Sequence, residues 1–189
     1  EKAPVTTLTV ADVAALFGAS PKGRTTAKTW ADVGVTDKEY AALAVDAHAS
    51  SSIVGLATAS TSLVLGGGAF RGDLHDQSRQ STIASGAAKR GGVGLIHPFF
   101  ISERTRPVAI AKASGQPGVA LTPESVASGA YPFGRRLYAY VNMKAGTSPP
   151  AHVTEFLRFA LSRDGQEAIA NKGGLPLTAD RRRHLIRFC

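Results

Sequence analysis

The chain predicts an α/β fold with a largely parallel sheet, and three observations carry that reading. Short apolar runs of strand length alternate with stretches of helical periodicity. Twenty glycines and ten prolines divide the 189 residues into short elements, which suits α/β architecture better than a helical bundle. Residues 41–68, AALAVDAHASSSIVGLATASTSLVLGGG, read as a strand, a serine-rich turn and a helix, the unit that builds parallel sheets.

Taken in order, residues 1–7 read as extended, and Thr9 with Asp12 three positions on predicts a capped helix whose stripe is Val10, Val13, Ala14 and Phe17. A polar, basic loop follows, with Pro21 and Gly23, and Trp30, Val33 and Val35 return the chain to the core. Thr36 with Glu39 predicts a second capped turn ahead of a strand over Ala41 to Ala47. Ser50, Ser51 and Ser52 are N-cap candidates for a helix carrying Ile53, Leu56, Ala57, Ser60, Leu63 and Val64, which Gly66 to Gly68 end. Ser81 is read as the cap of a helix over Thr82 to Lys89, and Gly92 to Ile96 as a buried strand whose glycines allow close backbone approach.

Pro107 to Lys112 reads as a further strand. Thr122, Pro123 and Glu124 supply cap, first-turn proline and acid for a short helix closed at Gly129. Leu137 to Val141 alternates tyrosines with aliphatic residues and predicts a strand. Helices are expected over Ala151 to Leu161, after Ser162 as far as Gly173 and Gly174, and from Ala179. The apolar residues of Ala151 to Ala170, Phe156 and Phe159 among them, exceed what two short helices can bury against each other. That segment is therefore expected to dock on a second copy, a partner chain or a further segment.

Composition limits the function classes. The chain carries a net charge of +8 and a pI near 10.0, which favours anions as partners. The excess is scattered, apart from Arg181, Arg182, Arg183 and Arg187, with no basic helix interleaved with aromatics, so nucleic acid is not expected as a partner. The one cysteine, Cys189, excludes an internal disulfide and a cysteine-based metal cluster. No stretch reaches the apolar length that spans a bilayer, and no signal peptide is recognisable at Glu1, although a leader removed before this numbering fits as well.

His48, His75, His97, His152 and His184 form no i, i+4 pair, so no metal and no cofactor is expected. G-x-S-x-G, P-loop and G-x-G-x-x-G motifs are absent. Asp46, His48 and Ser51 lie too close along one turn to align as nucleophile, base and orienter, so the chain is not expected to be an enzyme. The turn at Ser50, Ser51 and Ser52 instead aims hydroxyls, backbone N–H groups and a helix amino end at one spot, an oxyanion site in outline. The same residues also make a plain, well-capped βα loop, and the turn alone does not choose.

At residues 122–142, TPESVASGAYPFGRRLYAYVN resembles the TPENxxSGxYPLxRxLYxYVN segment of the phosphate-binding proteins of bacterial ABC transporters. EFLRFALSRDGQEAIANKGGLPL is similar to their EFLxFxLSxEGQxxVxxxGYxPL helices, LTVADVAALF with TWADVG to their LTxxQLxxIF and TWxxLG, and GGVGLI to their AIGY strand. The resemblance covers nearly the whole chain. It implies a type II periplasmic-binding-protein fold, with one complete parallel-sheet lobe over residues 8–129. Residues 130–189 are then the return strand and C-terminal helices of an incomplete second lobe, and Glu1 to Pro4 marks where relatives first cross between lobes.

The implied function is non-catalytic capture of phosphate or a similar oxyanion for an ABC permease, in the periplasm or outside the cell. Ser50, Ser51 and Ser52 are the implied ligand-binding residues, with Ser51 and Ser52 as hydroxyl donors; Asp46 either accepts a proton from a protonated oxyanion or is structural. The family's R-D/E-x-x-S-G-T motif places Val45 at its arginine, which leaves a second reading open. In that reading the chain is a degenerate module that has lost its ligand and acts through protein contacts.

Overall fold

A computed structural model of the chain describes residues 3–20, 25–135, 138–144, 146–172 and 174–186. Two small parallel sheets organise it. In the first, β1 (Thr7–Thr9) pairs with β5 (Ala109–Ala111), with Leu8 opposite Ile110. In the second, β2 (Asp46–Ala49) lies between β3 (His75–Asp76) and β4 (Gly92–Gly94), parallel to both. The expected α/β class with parallel strands is what forms.

Local chemistry explains the helix starts. Thr9 and Asp12 form the expected capping box of α1 (Val10–Phe17): Asp12 N–H donates to Thr9 Oγ1 at 3.0 Å, and Thr9 N–H to Asp12 Oδ2 at 2.8 Å. Leu16 and Phe17 at its end are fully buried with Leu8, Trp30, Ala47, Ala49 and Ile110. Burying each of the larger of these side chains contributes about 1.5–3 kcal/mol. The cap of α2 (Lys38–Ala41) is Asp37, which accepts from Tyr40 N–H at 2.8 Å, rather than the expected Thr36. Asp caps as well as Thr, and a one-residue shift puts Tyr40 in the core.

That shift also moves the strand. Ala41 ends α2, the chain turns, and β2 begins only at Asp46, so the strand expected over Ala41 to Ala47 is displaced toward the serines. An apolar run alone does not separate a short helix from a strand. After the turn, α3 (Val54–Ala59) passes directly into a π-helical turn, Ser60–Val64. Gly66 and Gly67, both at positive φ, then let the chain leave the helix. The next helix, α4 (Gln80–Ala87), starts after Arg79 with no side-chain cap, ahead of the expected Ser81. It lies directly on the sheet, because a Cβ on Gly92 would sit 2.4 Å from the Gly86 carbonyl oxygen.

α5 (Pro123–Ala127) has the expected cap, Ser125 N–H donating to Thr122 Oγ1 at 3.1 Å. Of the strand expected over Leu137 to Val141, Leu137 lies outside the described residues, and Tyr138 to Val141 form no strand. Alternation without a neighbouring ladder cannot satisfy the backbone of a strand, and Tyr140 is 92% exposed. The C-terminal helices α6 (Ala151–Leu161), α7 (Arg163–Asn171) and α8 (Ala179–Ile186) form where expected, and α6 packs on α7 and α8. Ser162 caps α7 through Gly165 N–H at 3.1 Å; Gly173, expected at its end, lies outside the described residues. No residue of α6 is fully buried, and Phe156 and Phe159 are exposed. Among the described residues, no helix is long and apolar enough to cross a membrane.

One buried cation ties the first half of the chain together. Arg71 donates from Nη1 to the carbonyls of Leu16 at 3.0 Å and Ala27 at 2.8 Å, and pairs through Nε and Nη2 with exposed Asp73. Arg71→Met keeps the aliphatic volume but leaves two buried carbonyls without donors. Urea unfolding should show a loss of about 2–4 kcal/mol, against about 1 kcal/mol or less for Asp73→Ala.

Candidate functional site

The serine turn stands at the carboxyl end of β2, where open α/β sheets place their ligands. Its three serines do different things. Ser50 is fully buried, and its Oγ accepts from Ser52 N–H at 3.2 Å and Ile53 N–H at 3.0 Å, so it holds the turn together. Ser51 is exposed, yet its N–H donates to Asp76 Oδ1 at 2.9 Å and its hydroxyl to Asp76 Oδ2. Ser52 is exposed, with its hydroxyl 3.3 Å from that of Ser50. Each of the three serines expected as ligand-binding residues is thus engaged in a bond within the turn or to Asp76, and Ser51 and Ser52 are the two that are exposed.

Beyond Ser52 the amino end of α3 continues the same surface. Its first intrahelical bonds are those from Leu56 and Ala57 N–H to the Ile53 carbonyl, which leaves Val54 and Gly55 ahead of them. Val54 is 79% exposed. The guanidinium of Arg135 lies over Gly55, with Nη2 3.6 Å from where a Cβ on that residue would sit. His97 is close enough to feel this charge: burial chiefly, and Arg135 in addition, hold its imidazole below the usual histidine range.

Arg135 was not among the expected site residues. The signal was present, since it is the arginine of the YPFGR segment that carries the family resemblance. Val45, where that resemblance placed the motif's arginine, packs against the hydrophobic core. Val45 is only half-buried there.

Asp46 is set between two histidines. Its Oδ1 is 3.1 Å from His48 Nε2 and 2.9 Å from His75 Nε2, and the two imidazoles stack with centroids 4.7 Å apart. The histidines were read from sequence as separate; the sheet brings two together, because His48 and His75 are directly opposite in the β2–β3 register. Among the described residues, Asp46, His48 and His75 are the group whose donor atoms could hold a cation. A separate open depression, lined by Thr9, Asp12, Lys112 and Ser114, lies at the carboxyl ends of β1 and β5.

The fold built by these parallel strands and helices is shared with solved phosphate-binding proteins, and the chain has relatives in sequence as well. The chain is similar to the phosphate-binding protein PstS of Pseudomonas aeruginosa, with 27% identity over 179 residues, 93% of this chain and 55% of that protein. It therefore spans about half the length of the curated relatives it matches. A possible phosphate binding protein from Planctomyces limnophilus superposes with a TM-score of 0.69 at 17% identity, over 98% of this chain and 64% of that one. An ABC-type phosphate transport receptor from Vibrio cholerae does so with a TM-score of 0.64 at 15% identity, over 93% and 65%. No protein-family model matches the chain. The resemblance read from the sequence, and an α/β fold with parallel strands that is partial relative to these proteins, are borne out.

The Ser51 contact has a pH signature. The Ser51 hydroxyl first, and its N–H second, hold the Asp76 carboxyl below the ordinary carboxylate range. A carboxyl lowered on folding adds stability above its unfolded pKa of about 4 and loses it as pH falls through the lower folded value. Ser51→Ala should therefore destabilise the chain at pH 7, with the gap to the parent closing as pH falls below about 4. Thermal midpoints across pH 2–8 check this; a gap that is constant with pH would assign the Ser51 effect to packing.

Proposed function

We propose that the chain binds phosphate or a related oxyanion without chemistry, as the solute-binding component of an ABC-type uptake system in the periplasm or outside the cell. The observation that carries the reading is the Arg135 guanidinium lying over Gly55 at the amino end of α3, three positions after the exposed Ser52. Hydroxyl and N–H donors beside a cation suit a tetrahedral anion, and charge-assisted bonds supply most of the affinity. The relatives' names point the same way, as does the net charge of +8.

In this reading residues 8–129 are the anion-binding lobe and residues 130–189 the return and helices of a partial second lobe. The exposed aromatic side of α6 packs on a part of the fold that this chain does not span, or on a second chain in its place. Light scattering and limited proteolysis test this: a monomer whose α6 resists protease would overturn it.

Because one lobe presents a limited set of donors and Ser51 is held by Asp76, affinity should be modest. Calorimetry with phosphate and sulfate should give a dissociation constant weaker than micromolar. Arg135→Ala should weaken phosphate binding by about tenfold or more, the equivalent of one charge-assisted bond, and Ser52→Ala by less. Absence of any phosphate signal at millimolar ligand would favour the degenerate module instead. Binding unchanged in Arg135→Ala would place the anion elsewhere.

A further inference from the structure

The group formed by Asp46, His48 and His75 is not accounted for by oxyanion capture. β2 alternates, so Ala47 and Ala49 enter the core while Asp46 and His48 share the opposite face, toward α4. His75, in register with His48 on β3, extends the same face by one strand. Three side chains of ligand type thus meet through period-two alternation and one cross-strand pairing.

His48 is the unusual member. It is 4% exposed, and neither Nδ1 nor Nε2 has a hydrogen-bond partner. Its Nε2 comes within 3.1 Å of Asp46 Oδ1, yet not along a line that makes a hydrogen bond. A buried imidazole with both nitrogens unmet is costly, and most buried polar groups in folded proteins are satisfied. The ring is also held in place: a Cβ on Gly86 would come within 2.3 Å of its Cε1 and Nδ1, so only glycine on α4 leaves room for it. The backbone seats the imidazole with Nε2 toward Asp46 and His75.

The geometry points to a binding site for a divalent transition-metal ion, Zn²⁺ or a first-row neighbour, on Asp46, His48 and His75. Two imidazoles and one carboxylate are a donor set for such ions, and unsuited to Mg²⁺ or Ca²⁺. The donor atoms all lie within 4.8 Å of one another, with oxygen–nitrogen separations of 2.9 and 3.1 Å. A tetrahedral ion with arms of about 2.0–2.2 Å holds its ligand atoms roughly 3.3 Å apart, so Asp46 Oδ1 already stands near that distance from both imidazoles, and the two stacked rings would turn their nitrogens inward on binding. An ion would satisfy the buried Nε2 of His48, and His75, with its side chain 57% exposed, leaves a way in.

The test is a titration of the chelator-treated chain with Zn²⁺ by calorimetry, in a buffer free of phosphate, with Co²⁺ absorption as a second readout. Its result is thereby independent of whether the serine turn binds an anion. One equivalent of Zn²⁺ should bind, and Co²⁺ should give an intense visible band of a four-coordinate nitrogen–oxygen site. His75→Ala and Asp46→Asn should each weaken Zn²⁺ by on the order of a hundredfold or more, beyond the 10- to 100-fold of lost outer-shell partners. His152→Ala, His184→Ala and Cys189→Ser should leave it unchanged. His75 is exposed, so that variant decides the matter even if Asp46→Asn misfolds, with circular dichroism confirming its fold. Zn²⁺ affinity no better than millimolar, equal affinity in His75→Ala, or loss of binding in the His152, His184 or Cys189 variants would overturn the proposal.

Discussion

The parallel pairing of β2 with strands on both sides is the constraint on which the rest of this structure depends. Asp46 N–H donates to the Gly91 carbonyl at 3.1 Å, and Leu95 N–H to the His48 carbonyl at 3.0 Å, which ties β2 to the β4 side. On the other flank Gln77 N–H donates to the Ala49 carbonyl at 2.9 Å. With the register set, the pleat decides every strand side chain: alanines into the core and Asp46 and His48 beneath α4, with Ser51 and Ser52 exposed beyond the carboxyl end. A slip of one residue would reverse those faces and bury the carboxylate among Leu8, Leu16 and Trp30.

The fold was legible wherever local chemistry and periodicity agreed. Thr9 with Asp12, Thr122 ahead of Pro123, and Ser162 ahead of α7 each cap the helix that the pattern implied. It was less legible where two caps competed, as at Thr36 and Asp37, or where an apolar run could be helix or strand, as over Ala41 to Ala47. Tyr138 and Tyr140 have the alternation of a strand without one beside them to pair with. Sequence reports the pattern of a side chain, whereas a strand needs a neighbour.

The candidate site was visible in part for the same reason. Ser50, Ser51 and Ser52 are contiguous and attract notice, but the Ser51 hydroxyl is engaged by Asp76, twenty-five positions beyond it and adjacent to it only through the β2–β3 pairing. Arg135 reaches the start of α3 from a loop that no local rule connects to it. His48 and His75 show no ligand spacing along the chain, because their relation is lateral.

The close seating of α4 on the sheet has a consequence for exchange rates. With Gly86 against the His48 ring and Gly92 against the α4 backbone, the inner wall around that imidazole is closed by main chain. Access to Asp46 is therefore from the outer side, where its own carboxylate is partly exposed beside the exposed side chain of His75. Rotamer changes of exposed residues take picoseconds to nanoseconds, whereas parting a helix from a sheet takes far longer. Traffic at this position would thus keep the pace of a surface side chain while the occupant rests beside a buried one.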